Sequence, residues 1–181
     1  MKLSAKTCTV LISSAALSGT LLGIGGPAQA DDPAPMPAAI NTWVHSIQND
    51  AHNTNLDSYR GEEVVTRYAY HTNQVWRGDR VGKTTAGVGI YTIRPVSPPA
   101  PASHAAKCLT FKGEDKHAKL EPCISGQLNQ RWVVNTALEK TSIIPEKARD
   151  LRLEATDGDE KPVKAKHVDD DPDQQWALYD K

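Results

Sequence analysis

From Ile40 onward the chain alternates short apolar or β-branched runs with turn residues. The runs are Trp43-Val44, Val64-Val65-Thr66-Arg67-Tyr68, Val88-Gly89-Ile90-Tyr91-Thr92-Ile93, Arg131-Trp132-Val133-Val134 and Leu151-Arg152-Leu153. Gly, Asp, Asn and Pro separate them. No segment keeps apolar residues on a 3.6-residue period long enough for an amphipathic helix. Strands of four to six residues with frequent turn signals predict an all-β sandwich or barrel. Ser97-Pro98-Pro99-Ala100-Pro101-Ala102-Ser103 breaks the texture and reads as an extended loop insertion, part of a loop spanning 97–107.

The N-terminal pattern differs. Lys2 and Lys6 precede an apolar run from Val10 to Ile24, and Ala28-Gln29-Ala30 has small residues flanking one larger one. This is the pattern of a secretory signal peptide over 1–30, so the protein is expected to be secreted. Residues 31–40 are Pro- and Ala-rich and read as a disordered lead-in. That leaves one domain, 41–181. Loss of the leader takes the 21 basic residues to 19 against 22 acidic ones, a net charge of −3. Mixed signs with an acidic excess argue against nucleic acid as a partner. No other run is long enough for membrane insertion as a helix.

Of three cysteines, Cys8 falls in the leader, leaving Cys108 and Cys123. In an exported chain such a pair reads as a disulfide. The alternative is a metal site, which two lone cysteines without neighbouring ligands fit poorly. The six histidines have no paired ligand spacing, and the acidic clusters Asp157-Gly158-Asp159-Glu160 and Asp169-Asp170-Asp171-Pro172-Asp173 match no calcium loop. No metal, cofactor or catalytic constellation is expected, and the chain is read as a non-enzyme.

Three of the four tryptophans follow a glutamine by two places: Gln74-Val75-Trp76, Gln130-Arg131-Trp132 and Gln174-Gln175-Trp176. Leu56, Leu109 and Leu151 precede these tryptophans by 20, 23 and 25 residues. Three copies of a unit of about forty residues, none able to close a core alone, predict one shared barrel around a pseudo-threefold axis.

Three Q-x-W repeats resemble the ricin B-type (R-type) lectins, whose fold is the β-trefoil. The second copy carries the likeness best, with Cys108-Leu109-Thr110-Phe111, Leu120-Glu121-Pro122-Cys123 and Asn129-Gln130-Arg131-Trp132. The resemblance implies a carbohydrate-binding protein, with galactose-like glycans as its ligands. Trp76, Trp132 and Trp176, with Gln130 and Gln174, are expected to be structural.

A sugar site of that family needs a carboxylate, a flat aromatic face and an amide. By the resemblance, the first copy supplies Asp57 as carboxylate, Tyr68 for stacking, and Asn73 with Gln74 at the rim. Asn55 and Tyr70 stand where the family has cysteines. The second copy has Thr110 and Glu121 at the carboxylate and aromatic positions. The third has Arg152 and Lys166 there, with Asp173 before its Gln-x-Trp. Both are expected to be structural, although the third has charges suited to an anion. The other class of partner is a protein. A β-trefoil serving as a protease inhibitor or toxin-delivery subunit, with degenerate sugar sites, would make contact through 97–107 and the loop at Lys161-Pro162.

Overall fold

The computed structural model describes residues 42–58, 62–68, 70–96 and 106–180. The expected signal peptide, the lead-in and most of the Pro-rich insertion lie outside the described residues. The domain contains fourteen strands and three single-turn 3-10 segments among those residues.

The first repeat runs through β1 (Thr42–Asn49), β2 (Asn55–Asp57), β3 (Val65–Arg67) and β4 (Val75–Lys83). The second has β5 (Gly89–Pro95), β6 (Lys107–Thr110), β7 (Lys119–Pro122) and β8 (Trp132–Val134). In the third, β9 (Lys140–Thr141) and β10 (Ile144–Pro145) act as one interrupted strand. They precede β11 (Leu151–Glu154), β12 (Lys161–Pro162), β13 (Lys164–His167) and β14 (Trp176–Asp180). The 3-10 turns Thr72–Gln74, Leu128–Gln130 and Pro172–Gln174 each deliver the chain into the strand that carries a Q-x-W tryptophan.

Antiparallel pairing closes a barrel. β1 pairs with β4, β4 with β5, β5 with β8, β8 with β10, β9 with β14, and β14 with β1. Three hairpins, β2–β3, β6–β7 and β11–β13, cap one end. They knit together around the axis: Ala118 donates to Val163 O, Val163 to Val64 O, and Leu120 to Glu62 O. This is the shared barrel that the repeats predict and the β-trefoil that the resemblance implies. Lys161-Pro162 is not a free loop. It forms β12 and pairs with Val65 and Thr66 of β3, because the backbone of the first hairpin offers it an open edge.

The core is layered by symmetry. Ile47, Ile93 and Ile143 form one set, Leu56, Leu109 and Leu153 another, and Trp76, Trp132 and Trp176 a third, all buried. Burying three indoles removes the largest side chains from water and dominates the stability of so small a core. The disulfide Cys108–Cys123 ties the ends of β6 and β7 together, with Cα atoms 5.0 Å apart.

The threefold pattern is broken at Trp43. Its ring lies over Gly78, directly opposite on β4, and meets Tyr91 edge-on at 5.8 Å. A Cβ at Gly78 would fall 2.1 Å from Trp43 Cε2. Glycine is required there for space. Gly78→Ala should therefore destabilise the domain by about 2–3 kcal/mol, the usual scale of an overpacked core. Urea denaturation followed by tryptophan fluorescence measures this. Replacing both cysteines by serine should cost about 3 kcal/mol for a fifteen-residue loop, by the same assay.

Candidate functional site

Each repeat uses its Gln-x-Trp to tie its third and fourth strands to its second. The Trp76 indole N–H donates to Leu56 O at 2.8 Å, Trp132 to Leu109 O at 2.9 Å, and Trp176 to Leu153 O at 2.9 Å. The glutamine amide donates to the side chain after that leucine: Gln74 Nε2 to Asp57 Oδ2 at 3.0 Å, Gln130 Nε2 to Thr110 Oγ1 at 3.1 Å, and Gln174 Nε2 to Glu154 Oε2 at 3.1 Å. The second and third glutamines also donate to the carbonyls of Pro122 and His167. Gln74 and Gln130 accept in return from the backbone N–H groups of His71 and Ile124.

This geometry corrects the expected register of the third copy. Its leucine is Leu153, 23 residues before Trp176, not Leu151. The position after it is Glu154, so Arg152 does not occupy the carboxylate position. Arg152 instead turns a guanidinium back onto the carbonyls of Arg149 and Leu151. Lys166 pairs with Glu154 at 3.1 Å, and that bond holds its ammonium above the ordinary lysine range. Glu154 thus answers the charge of Lys166, while Arg152 keeps its charge and bonds backbone carbonyls.

Strand pairing also sets the first repeat in register. Leu56, Leu109 and Leu153 face Thr66, Leu120 and Ala165. Arg67, Glu121 and Lys166 therefore correspond, and Tyr68 corresponds to Pro122 and His167. Tyr68 stands one place beyond the position that holds Glu121.

The four residues singled out in the first repeat divide into two layers. Asp57 and Gln74 are bonded to each other and both have 0% exposure. Tyr68 is 54% exposed, Tyr70 is also exposed, and Asn73 is half-buried. The Asn73 carbonyl accepts from Ser58 N and Oγ, which anchors the 3-10 turn beneath it. The equivalent carbonyls of Asn129 and Asp173 accept from Phe111 and Ala155. Tyr68 is steadied through its own N–H, which donates to Asp159 Oδ1 at 3.0 Å. Arg67 pairs with Glu160 at 3.0 Å. Loops of the third repeat thus support the surface of the first.

In the second repeat a shallow hollow of about 180 Å³ lies among Phe111, Lys112, Gly113, Asn129 and Lys147. Its Lys112 is paired with Glu121. Among the described residues no group of three His, Cys, Asp or Glu side chains is placed to hold a metal ion.

Sequence comparison is silent: no family model matches the chain, and no curated protein matches it. Comparison of structures is not. The designed threefold-symmetric protein ThreeFoil aligns at a TM-score of 0.60 and 20% identity, over 76% of this chain and 99% of that one. The Rhizoctonia solani agglutinin aligns at 0.58 and 17% identity, over 80% and 99%. The Macrolepiota procera ricin B-like lectin, determined in complex with lactose, aligns at 0.56 and 15% identity, over 76% and 95%. The fold is a β-trefoil.

Within this trefoil the third repeat carries a titratable defect. Asp173 replaces the asparagine of the other two copies. Burial, a hydrogen bond to Asp171, and the charges of Asp171 and Glu154 raise its pKa to about 6. Asp171 is lowered by the hydrogen bond from Asp173. Asp173 holds its proton more tightly folded than unfolded, so it subtracts stability as the pH rises from about 4 through about 6. Asp171 acts below that window, where its lowered pKa costs stability on acidification. Asp173→Asn should raise the melting temperature at pH 7.5 by about 2–4 °C and leave it nearly unchanged at pH 4. Calorimetry of both proteins at the two pH values checks this.

Proposed function

We propose that the protein is a secreted lectin that binds glycans through the first repeat, with galactose-like sugars as the favoured class. The observation that supports this most directly is the exposed Tyr68 ring in the same repeat as the half-buried Asn73 and the buried Asp57–Gln74 pair, on a scaffold whose structural neighbours include a lectin. An exposed aromatic face suits the apolar C–H face of a pyranose. The half-buried Asn73 amide donates and accepts at its edge. In this reading Asp57 and Gln74 act as positioning residues. The carboxylate accepts from the amide and fixes the turn that presents Asn73.

A single shallow site of this size binds a monosaccharide weakly, with Kd on the order of millimolar. Useful avidity then comes from polyvalent ligands.

The experiment is a glycan array probed with the protein beside Tyr68→Ala and Asp57→Asn variants. Tyr68→Ala should lower binding roughly tenfold or more without changing the melting temperature, since its ring is exposed. The conservative Asp57→Asn variant should weaken both fold and binding. Undiminished binding by Tyr68→Ala overturns the proposed site. Silence across the array by a folded protein overturns the lectin reading.

A further inference from the structure

At the junction of the first and second repeats, the wall of the barrel carries a row of charges. Arg77 on β4 and Arg94 on β5 lie directly opposite each other. Like charges so placed repel. Asp79 relieves the repulsion by accepting from Arg77 Nε at 2.8 Å and Arg94 Nε at 3.1 Å. Thr42 Oγ1 also donates to this carboxylate, at 3.2 Å. Its pKa lies below the ordinary range despite partial burial, through the hydrogen bond and charge of Arg77 and the charge of Arg94. Asp79 therefore accepts from three donors, two of them guanidiniums. Two guanidiniums on one carboxylate leave one positive charge, and the Nη groups of Arg77 and Arg94 have no acceptor among the described residues.

Beside this row lies a cleft of about 380 Å³. Asp79, Thr92, Arg94 and Arg131 contribute its polar lining, and Val81, Ile124 and the Cys108–Cys123 disulfide its apolar lining. Arg131 is held by Glu146, which accepts from its Nη2 at 3.3 Å. Val81 and Ile124 are both large, apolar and about half exposed. The volume is that of a small-molecule site. The other repeats do not reproduce it. Their barrel strands lack the Asp79 clamp, and the described part of the chain has no second disulfide.

We propose that this cleft is a second binding site, independent of the first-repeat surface, for a small organic monocarboxylate with an apolar body. The carboxylate meets the unpaired Nη edge of Arg94, a planar fork matched to a planar anion. The body lies on Val81, Ile124 and the disulfide. The Nη edge of Arg94 meets one carboxylate, and the apolar walls set the nature of the rest.

The test is a titration of the ¹⁵N-labelled protein with hexanoate, followed by amide chemical shifts. Hexanamide supplies the body without the charge, and acetate the charge without the body. Hexanoate should give saturable shifts at Val81, Thr92, Arg94 and Ile124, with a low-millimolar Kd on the order expected for so small a ligand. Hexanamide and acetate should each bind about tenfold more weakly, the scale of losing one charge-assisted bond or the apolar contact. Arg94→Gln should weaken hexanoate about tenfold. Ile124→Ser, at an exposed position that the fold tolerates, should weaken it several-fold. Tyr68→Ala should leave it unchanged, which separates this site from the glycan reading. Hexanamide binding as well as hexanoate, or shifts that do not saturate or that map elsewhere, overturns the proposal.

Discussion

Everything in this domain hangs on one hydrogen bond made three times, from an indole N–H to the carbonyl of a leucine in the first strand of the repeat's hairpin. A buried tryptophan must satisfy its N–H or pay a desolvation penalty of about 1–3 kcal/mol. Here the acceptor is always a backbone oxygen of β2, β6 or β11. The bond pins the hairpin cap to the barrel wall at the level of the largest core side chains. The glutamine two places earlier completes the joint by bonding the residue after the leucine. With these two links in place, the intervening loops are free to differ, and they do.

That freedom explains why the repeats look so unlike one another outside the frame. The residue that receives the glutamine amide is Asp57, Thr110 or Glu154, and all three supply a side-chain oxygen. The frame needs an acceptor there and has no use for a charge as such. An aspartate at this position is consequently weaker evidence for a ligand than it seems in isolation, and its burial in the first repeat agrees. The aromatic surface of Tyr68 and Tyr70 is not required by the frame, which is why it carries more of the functional argument.

The fold was legible because its signal is redundant. Three Gln-x-Trp motifs, short strands and frequent turns all point to one architecture, and Cys108 and Cys123 close the disulfide expected of them. The site was legible only in part. In the third repeat Leu151 and Leu153 are both buried leucines on one face of β11, and spacing alone does not say which one the tryptophan meets. The spacing from Leu151 sets the copy two residues out of register, with Arg152 where Glu154 stands. In the first repeat, spacing from Tyr70 makes Tyr68 the equivalent of Glu121, whereas the strand ladder makes Arg67 its equivalent. The clamp on Asp79 had no signature at all. It forms only because β1, β4 and β5 bring Thr42, Arg77 and Arg94 together across long stretches of chain.

The barrel is closed by its first and last strands. His45 to Asn49 pair in register with Asp180 to Trp176, so the inner edge of β1 has no backbone partner until β14 has been made. During synthesis the opening third of the domain therefore waits, with one row of amides and carbonyls unanswered, for nearly the whole remaining chain. A contact of such long range slows folding, and the edge it leaves open until closure is one that can pair with another chain. The threefold design that makes the finished molecule cohesive thus places its greatest vulnerability before completion, and it ties closure of the barrel to the arrival of β14.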